Sequence, residues 1–212
     1  MNIYNNLRGI NVDTGAKCTL ECPACTRQRN RDLTGEFITL DQVKKLGNFF
    51  NQLVFCGQIS DPMVHPNMPP ILKYCYENDI SVEMHVAASQ KKEEYWRKCF
   101  EANPKARWCF GLDGLPHKSH LYRINQDGEK LFDMMLIAKY EYNIRVSWMH
   151  ILFAYNENDI DEVKALAKLH RIELIIKKSG RFYDIEDPLI PSKGNYIDER
   201  IKERKVRTRL QA

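Results

Sequence analysis

The chain has 212 residues, 43% of them apolar, and its 32 basic and 28 acidic side chains leave a formal net charge of +4. That length buries one sizeable core, so a single domain is the default, and so mild a charge excludes the strong overall field of a dedicated nucleic-acid binder. No apolar run has the length of a membrane span or follows the charged start of a signal peptide, which predicts a cytoplasmic protein.

In chain order, strand-length apolar runs are predicted at 9–14, 52–56, 81–87, 106–112, 145–153 and 173–177, several of them near-continuous as in buried parallel strands. Helices are predicted between them at 40–49, 69–78, 92–102, 118–142 and 157–169. Thr39 ahead of Leu40, and Asn158 ahead of Asp161 and Glu162, supply helix start signals. This alternation predicts an α/β fold of six βα units, a partial (β/α)6 TIM-like barrel, with chemistry on the loops at the C-terminal ends of the strands. The expected division is a barrel domain over 1–182, then an irregular Pro-rich segment and basic tail over 183–212. From Tyr196 onward six basic residues face three acidic ones, the composition of a solvated helix or frayed tail.

Seven cysteines, three of them within eight residues, do not form a secreted disulfide framework; reduced thiols or metal ligands are expected. The three are Cys18, Cys22 and Cys25, a CxxxCxxC triad on the loop after the first strand. Three thiolates hold a [4Fe–4S] cluster and leave one iron open, where the amino and carboxylate groups of S-adenosylmethionine can chelate. A structural zinc or a group of inert buried thiols is the alternative; zinc takes four ligands, and no second CxxC pair is present. Cys56, Cys75, Cys99 and Cys109 lie in apolar strands or helices and read as packing residues, with hydrogen-atom donor at a strand end as the alternative for Cys56.

The cysteine loop, its place after the first strand and the βα pattern around it resemble the radical S-adenosylmethionine (radical SAM) superfamily. A second anchor is Gly57-Gln-Ile-Ser60-Asp61-Pro62 with Met63-Val-His65-Pro66, similar to that family's Gly-Gly-Glu-Pro element. The resemblance implies that Asp61, with the backbone around Gly57 and Ser60, orients the methionine end of the cofactor. A third is Gly111-Leu-Asp113-Gly114 with Tyr122-Arg123, similar to a Ser-Leu-Asp-Gly element, implying that Asp113 and Arg123 hold the ribose or a carboxylate. It also implies reductive cleavage of S-adenosylmethionine, a 5′-deoxyadenosyl radical that abstracts hydrogen from a substrate, and a flavodoxin- or ferredoxin-type electron donor.

The sequence departs from the family pattern at Ala24, where an aromatic is common, and at Ala87-Ala88-Ser89, where polar groups often line the pocket. No cysteine follows Cys109, so further clusters in a C-terminal extension are not expected. Lys177, Lys178 and Arg181 after the sixth strand form a candidate contact for an anionic substrate, or a solvated strand end. Trp148, Met149 and Ile151 read as core, with an apolar lining for the adenine as the alternative that the resemblance implies. The rival function is a non-catalytic iron–sulfur or zinc module, including a redox-sensing nucleic-acid-binding regulator that would use the basic tail.

Overall fold

The computed structural model describes residues 8–29, 34–179, 182 and 186–192. Six strands, β1 (Gly9–Val12), β2 (Gln52–Phe55), β3 (Ser81–Val86), β4 (Arg107–Gly111), β5 (Val146–Leu152) and β6 (Glu173–Lys178), form one open sheet in sequential order, every pair parallel. The helices are α1 (Thr26–Arg29), α2 (Leu40–Gly47), α3 (Met68–Glu77), α4 (Glu93–Ala102), α5 (Gly128–Tyr140) and α6 (Ile160–Leu169). This is the partial (β/α)6 barrel that the βα alternation predicts.

The sheet has two unlike faces. Burial alternates along β2, β3 and β5, which departs from the two-sided burial expected of near-continuous apolar runs. Leu53, Phe55, Met84, Val86, Trp108, Phe110 and Trp148 turn toward the helices and meet Val43, Ile71, Leu72, Trp96, Phe100, Leu131 and Met135 in the main core. The densest part is aromatic: Phe100 meets Trp108 edge-on at 4.9 Å, and Trp96 stacks on Phe110 at 6.0 Å. Aromatic pairs of this kind contribute about 0.5–1.5 kcal/mol beyond the area they bury. Strand register then places His85, Cys109, Ser147 and Glu173 in one row on the opposite, concave face.

The helix starts follow local chemistry. Thr39 caps α2 with a capping box: its Oγ1 accepts the Gln42 N–H at 3.2 Å, and its own N–H donates to Gln42 Oε1 at 2.8 Å. Helix α6 begins after Asp159 rather than near Asn158.

The single helix predicted over 118–142 is instead two elements. A 3-10 turn, Pro116–Leu121, ends in a connector where Asn125 has φ of 71°, and Asp127 then caps α5 by accepting the Lys130 N–H at 3.0 Å. A left-handed residue cannot continue a helix, so the break is dictated locally. Among the described residues no helix is long and apolar enough to cross a membrane. Arg181 and the basic run from Tyr196 lie outside the described residues.

Candidate active site

The C-terminal ends of the strands and their loops surround one cavity of about 440 Å³. Cys18, Cys22 and Cys25 border it on one side, Gly57 to Asp61 on another, and Arg123, Met149, Ile151, Lys177 and Lys178 on the third. Cys56, His85 and Cys109 also reach its wall. Cys75 and Cys99 are fully buried among the helices, as packing residues. Trp148 is core, its indole N–H donating to the Leu112 carbonyl at 2.9 Å, whereas Met149 and Ile151, also read as core, face the cavity.

The cysteine loop is tied down at several points. The Cys25 N–H closes a turn on the Cys22 carbonyl at 3.0 Å, and the Cys25 carbonyl receives the N–H groups of Gln28 and Arg29 at the start of α1. The Leu20 N–H donates to Cys18 Sγ at 3.4 Å, and Leu20 itself is buried against Ala87 and Ala88. The small residues at the end of β3, which depart from the family pattern, are therefore what admits Leu20. The connector before α5 closes over this loop: the Glu21 N–H donates to the Ile124 carbonyl at 3.1 Å. Gln126, also in the connector, bridges the Ala87 and Gly111 carbonyls at 2.7 and 3.0 Å, joining the ends of β3 and β4.

Asp61 is buried and central. Its Oδ1 accepts the Met63 N–H at 2.8 Å, and its Oδ2 accepts the Ala87 and Ala88 N–H groups at 2.7 and 2.9 Å. A carboxylate offers about four lone-pair positions, so these bonds leave one unused. Burial raises the Asp61 pKa, while the N–H groups it accepts oppose that shift. Much of its role is thus to fasten the loop after β2 to the end of β3.

Asp113 is placed differently from the sequence expectation. It is fully buried and does not border the cavity; its Oδ1 accepts the Ile151 N–H at 2.9 Å, and its Oδ2 lies 2.8 Å from Arg123 Nε. Tyr155 donates its hydroxyl to the Asp113 carbonyl. Arg123 does reach the cavity, lying over Gly111, where an added Cβ would come within 3.0 Å of its Nη2. A serine at position 111 would crowd this guanidinium, which accounts for the glycine. Burial works against the charge of Arg123, but Asp113 and Cys22 outweigh it and raise its pKa.

Asp13, which sequence reasoning passed over as part of the first strand, holds the loop after β2 from behind. Its Oδ1 accepts the N–H groups of Gln58, Ile59 and Ser60 at 3.0, 3.1 and 3.2 Å and the Ser60 hydroxyl at 3.1 Å. Gly57 is required here, because a Cβ on it would stand 2.0 Å from the Ser60 carbonyl oxygen.

No protein-family model and no curated protein matches the sequence. Solved structures do match in three dimensions. The enzyme anSMEcpe with bound AdoMet superposes with a TM-score of 0.66 at 13% identity, over 87% of this chain and 53% of its own. SuiB of Streptococcus suis, bound to the precursor peptide SuiA, gives 0.66 at 14% over 98% and 48%. Methylornithine synthase (PylB) gives 0.63 at 11% over 90% and 58%. The fold is that of the radical SAM enzymes. The chain spans about half the length of these neighbours.

The residues on the cavity wall suit the two groups a radical SAM fold is built around. The three loop cysteines are free thiols, half-buried at the cavity. Burial, with Asp61 nearby, pushes the Cys18 thiol up to about 12, and burial raises Cys22 against the pull of Arg123. Thiols so placed ionise when a cation binds them, because coordination displaces the proton. Among the described residues no group of three His, Cys, Asp or Glu side chains is arranged to hold a single metal ion. Three thiols on the wall of one cavity are a donor set that an iron–sulfur cluster can use. The cavity volume is within the range of small-molecule sites.

Proposed function

We propose that the chain is the catalytic domain of a radical SAM enzyme. In this reading Cys18, Cys22 and Cys25 hold a [4Fe–4S] cluster, and S-adenosylmethionine occupies the cavity beside it. The observation that carries it is that the CxxxCxxC loop, the Gly57–Asp61 loop and Arg123 border one cavity at the C-terminal ends of six parallel strands. When bound, the cluster and S-adenosylmethionine together supply one-electron cleavage of the sulfonium and so a carbon radical able to abstract hydrogen.

The chain's own share is positioning and electrostatics. The carbonyls of the Gly57–Ser60 loop and the remaining lone pair of Asp61 accept the cofactor's ammonium group. Arg123, kept charged by Asp113, faces its carboxylate, and Met149 and Ile151 give the adenosine an apolar wall. Ser60 turns its hydroxyl back onto Asp13, so its contribution comes through the backbone.

On the far side Lys177 and Lys178 border the same cavity. Both side chains are exposed at its edge, and they suit a substrate with a carboxylate or phosphate. Anions of this kind occur in peptides as well as in metabolites; SuiB has been solved with a precursor peptide, and PylB is a methylornithine synthase. The electron, required in each cycle or once per activation, would come from a reduced flavodoxin- or ferredoxin-type donor.

The test is anaerobic iron–sulfur reconstitution, then incubation with S-adenosylmethionine and dithionite. About four irons per chain and 5′-deoxyadenosine from the wild type, but not from Cys22→Ala, support the enzyme. A single bound zinc, or iron without cleavage, returns the protein to the class of binding modules.

A further inference from the structure

The loop after β2 is shaped by a residue it does not contain. Gln58, Ile59 and Ser60 aim three successive N–H groups at one oxygen of Asp13, and the Ser60 hydroxyl joins them. Consecutive N–H groups that converge in this way form a nest, a concavity suited to an anion. Here the anion is the chain's own carboxylate, at the end of β1 and 45 residues or more away in sequence. Asp13 does not border the cavity; it lines a separate hollow with Gly15, Glu36, Phe37 and Thr39.

Peptide units are planar and trans, so each N–H points opposite to the carbonyl of the residue before it. With the N–H groups of 58, 59 and 60 turned onto Asp13, the carbonyls of Gly57, Gln58 and Ile59 turn the other way, and those residues line the cavity. Asp61 anchors the far end of the loop, but without the Asp13 carboxylate the three N–H groups lose their shared acceptor, and a nest free of its anion can rotate them toward the cavity, where they would repel an ammonium group. Gly57 allows the turn by letting the Ser60 carbonyl close over it.

We infer that Asp13 is a positioning residue for cofactor binding: by collecting the loop's N–H groups behind it, it presents the loop's carbonyls to the ammonium of S-adenosylmethionine. It touches neither cofactor nor substrate and acts only through the loop. The inference rests on the radical SAM reading above.

The test compares two probes on iron-loaded wild type, Asp13→Ala and Asp13→Asn. One is S-adenosylmethionine; the other is 5′-methylthioadenosine, which keeps the adenosine and lacks the amino acid. Equilibrium dialysis gives both affinities, iron per chain reports the cysteine loop, and hydrogen exchange reports the amides of Gln58, Ile59 and Ser60.

The alanine variant is expected to keep its iron and its affinity for methylthioadenosine, to expose the three amides, and to bind S-adenosylmethionine on the order of ten- to a hundredfold more weakly. Asparagine, whose carbonyl oxygen can still accept the N–H groups, should recover part of both the affinity and the protection. Unchanged S-adenosylmethionine affinity in the alanine variant overturns the inference. So does equal weakening for both probes, which marks a general structural role. If iron-loaded wild type binds methylthioadenosine but not S-adenosylmethionine, the ammonium acceptor itself is absent and the inference falls. Binding of neither probe overturns the radical SAM reading, and the inference with it.

Discussion

Asp113 and Arg123 form a buried pair on the side of the cavity nearest Cys22: Oδ2 lies 2.8 Å from Nε, the carboxylate side chain is fully buried and the guanidinium is 15% exposed. The second carboxylate oxygen is fixed by the Ile151 N–H, so the pair is anchored to β5 and the guanidinium is held in place from behind. Removing one member of such a pair strands the other charge away from water.

Asp113→Asn is therefore expected to destabilise the protein by about 3–5 kcal/mol. Arg123→Met combined with Asp113→Asn should cost clearly less than the sum of the two single changes. Urea unfolding of the four proteins closes a double-mutant cycle, and additive single effects would show that the two groups are not coupled.

How far the sequence announced this arrangement depends on distance along the chain. The cysteine triad was legible because its spacing is local. The six strands were legible because each carries outward apolar residues such as Phe55, Met84 and Trp108 that must meet helices. The partners of Asp13 were not, since they lie on another loop and nothing in an isolated aspartate says which N–H groups it will collect. Asp113 was read as facing a ligand because position alone gives no side-chain direction; its buried partner Arg123 is what turns it inward. The helix predicted over 118–142 overran because its apolar period masked the turn and cap chemistry of Asn125 and Asp127.

Two buried histidines predict an acid-sensitive fold. The His65 Nδ1 accepts the Asn67 N–H at 3.1 Å while its Nε2–H donates to the Ile38 carbonyl at 2.9 Å, and the His150 Nδ1 accepts the Gly114 N–H at 3.1 Å. Both rings are neutral in this arrangement, and burial lowers both pKa values; Lys91 adds to the shift at His65, and Asp113 and Asp159 oppose it at His150. The unfolded chain then binds protons near pH 6.5 that the folded state refuses, so stability falls as pH drops below that point. The slope should approach about 1.4 kcal/mol per pH unit for each ring. Urea titrations at pH 7, 6 and 5 check this, and His65→Gln should flatten the dependence; an unchanged slope in that variant removes His65 from the account.

Trp148 and Trp108 offer a controlled comparison of one hydrogen bond. Both are buried and on adjacent strands, but the Trp148 indole N–H donates to the Leu112 carbonyl at 2.9 Å, while that of Trp108 has no partner among the described residues. Each Trp→Phe change removes similar volume, yet only at position 148 does it break a buried hydrogen bond, to a carbonyl that His150 also approaches. Trp148→Phe is expected to cost about 1–3 kcal/mol more than Trp108→Phe. Equal losses in thermal or urea unfolding would mean that packing alone sets both values.

Cysteine substitutions divide five of the seven thiols by place rather than by chemistry. Cys75 and Cys99 sit on α3 and α4 with no exposed surface, packed among apolar side chains on the far side of the sheet from the cavity. Burial alone pushes the Cys75 thiol up to about 12, as expected of a small hydrophobe remote from any cation. Cys75→Ala with Cys99→Ala should therefore load as much iron as the wild type on reconstitution, with a lower melting temperature from the lost packing. Cys18→Ala, Cys22→Ala or Cys25→Ala should each lose most of the iron with a smaller fall in melting temperature, because these side chains border the cavity and pack only at the edge of the small clusters around Leu20 and Ala24. Iron content by colorimetric assay, set beside the melting curve of each variant, separates the two classes; a marked fall in iron for the Cys75 and Cys99 variant would move the metal ligands away from the loop after β1.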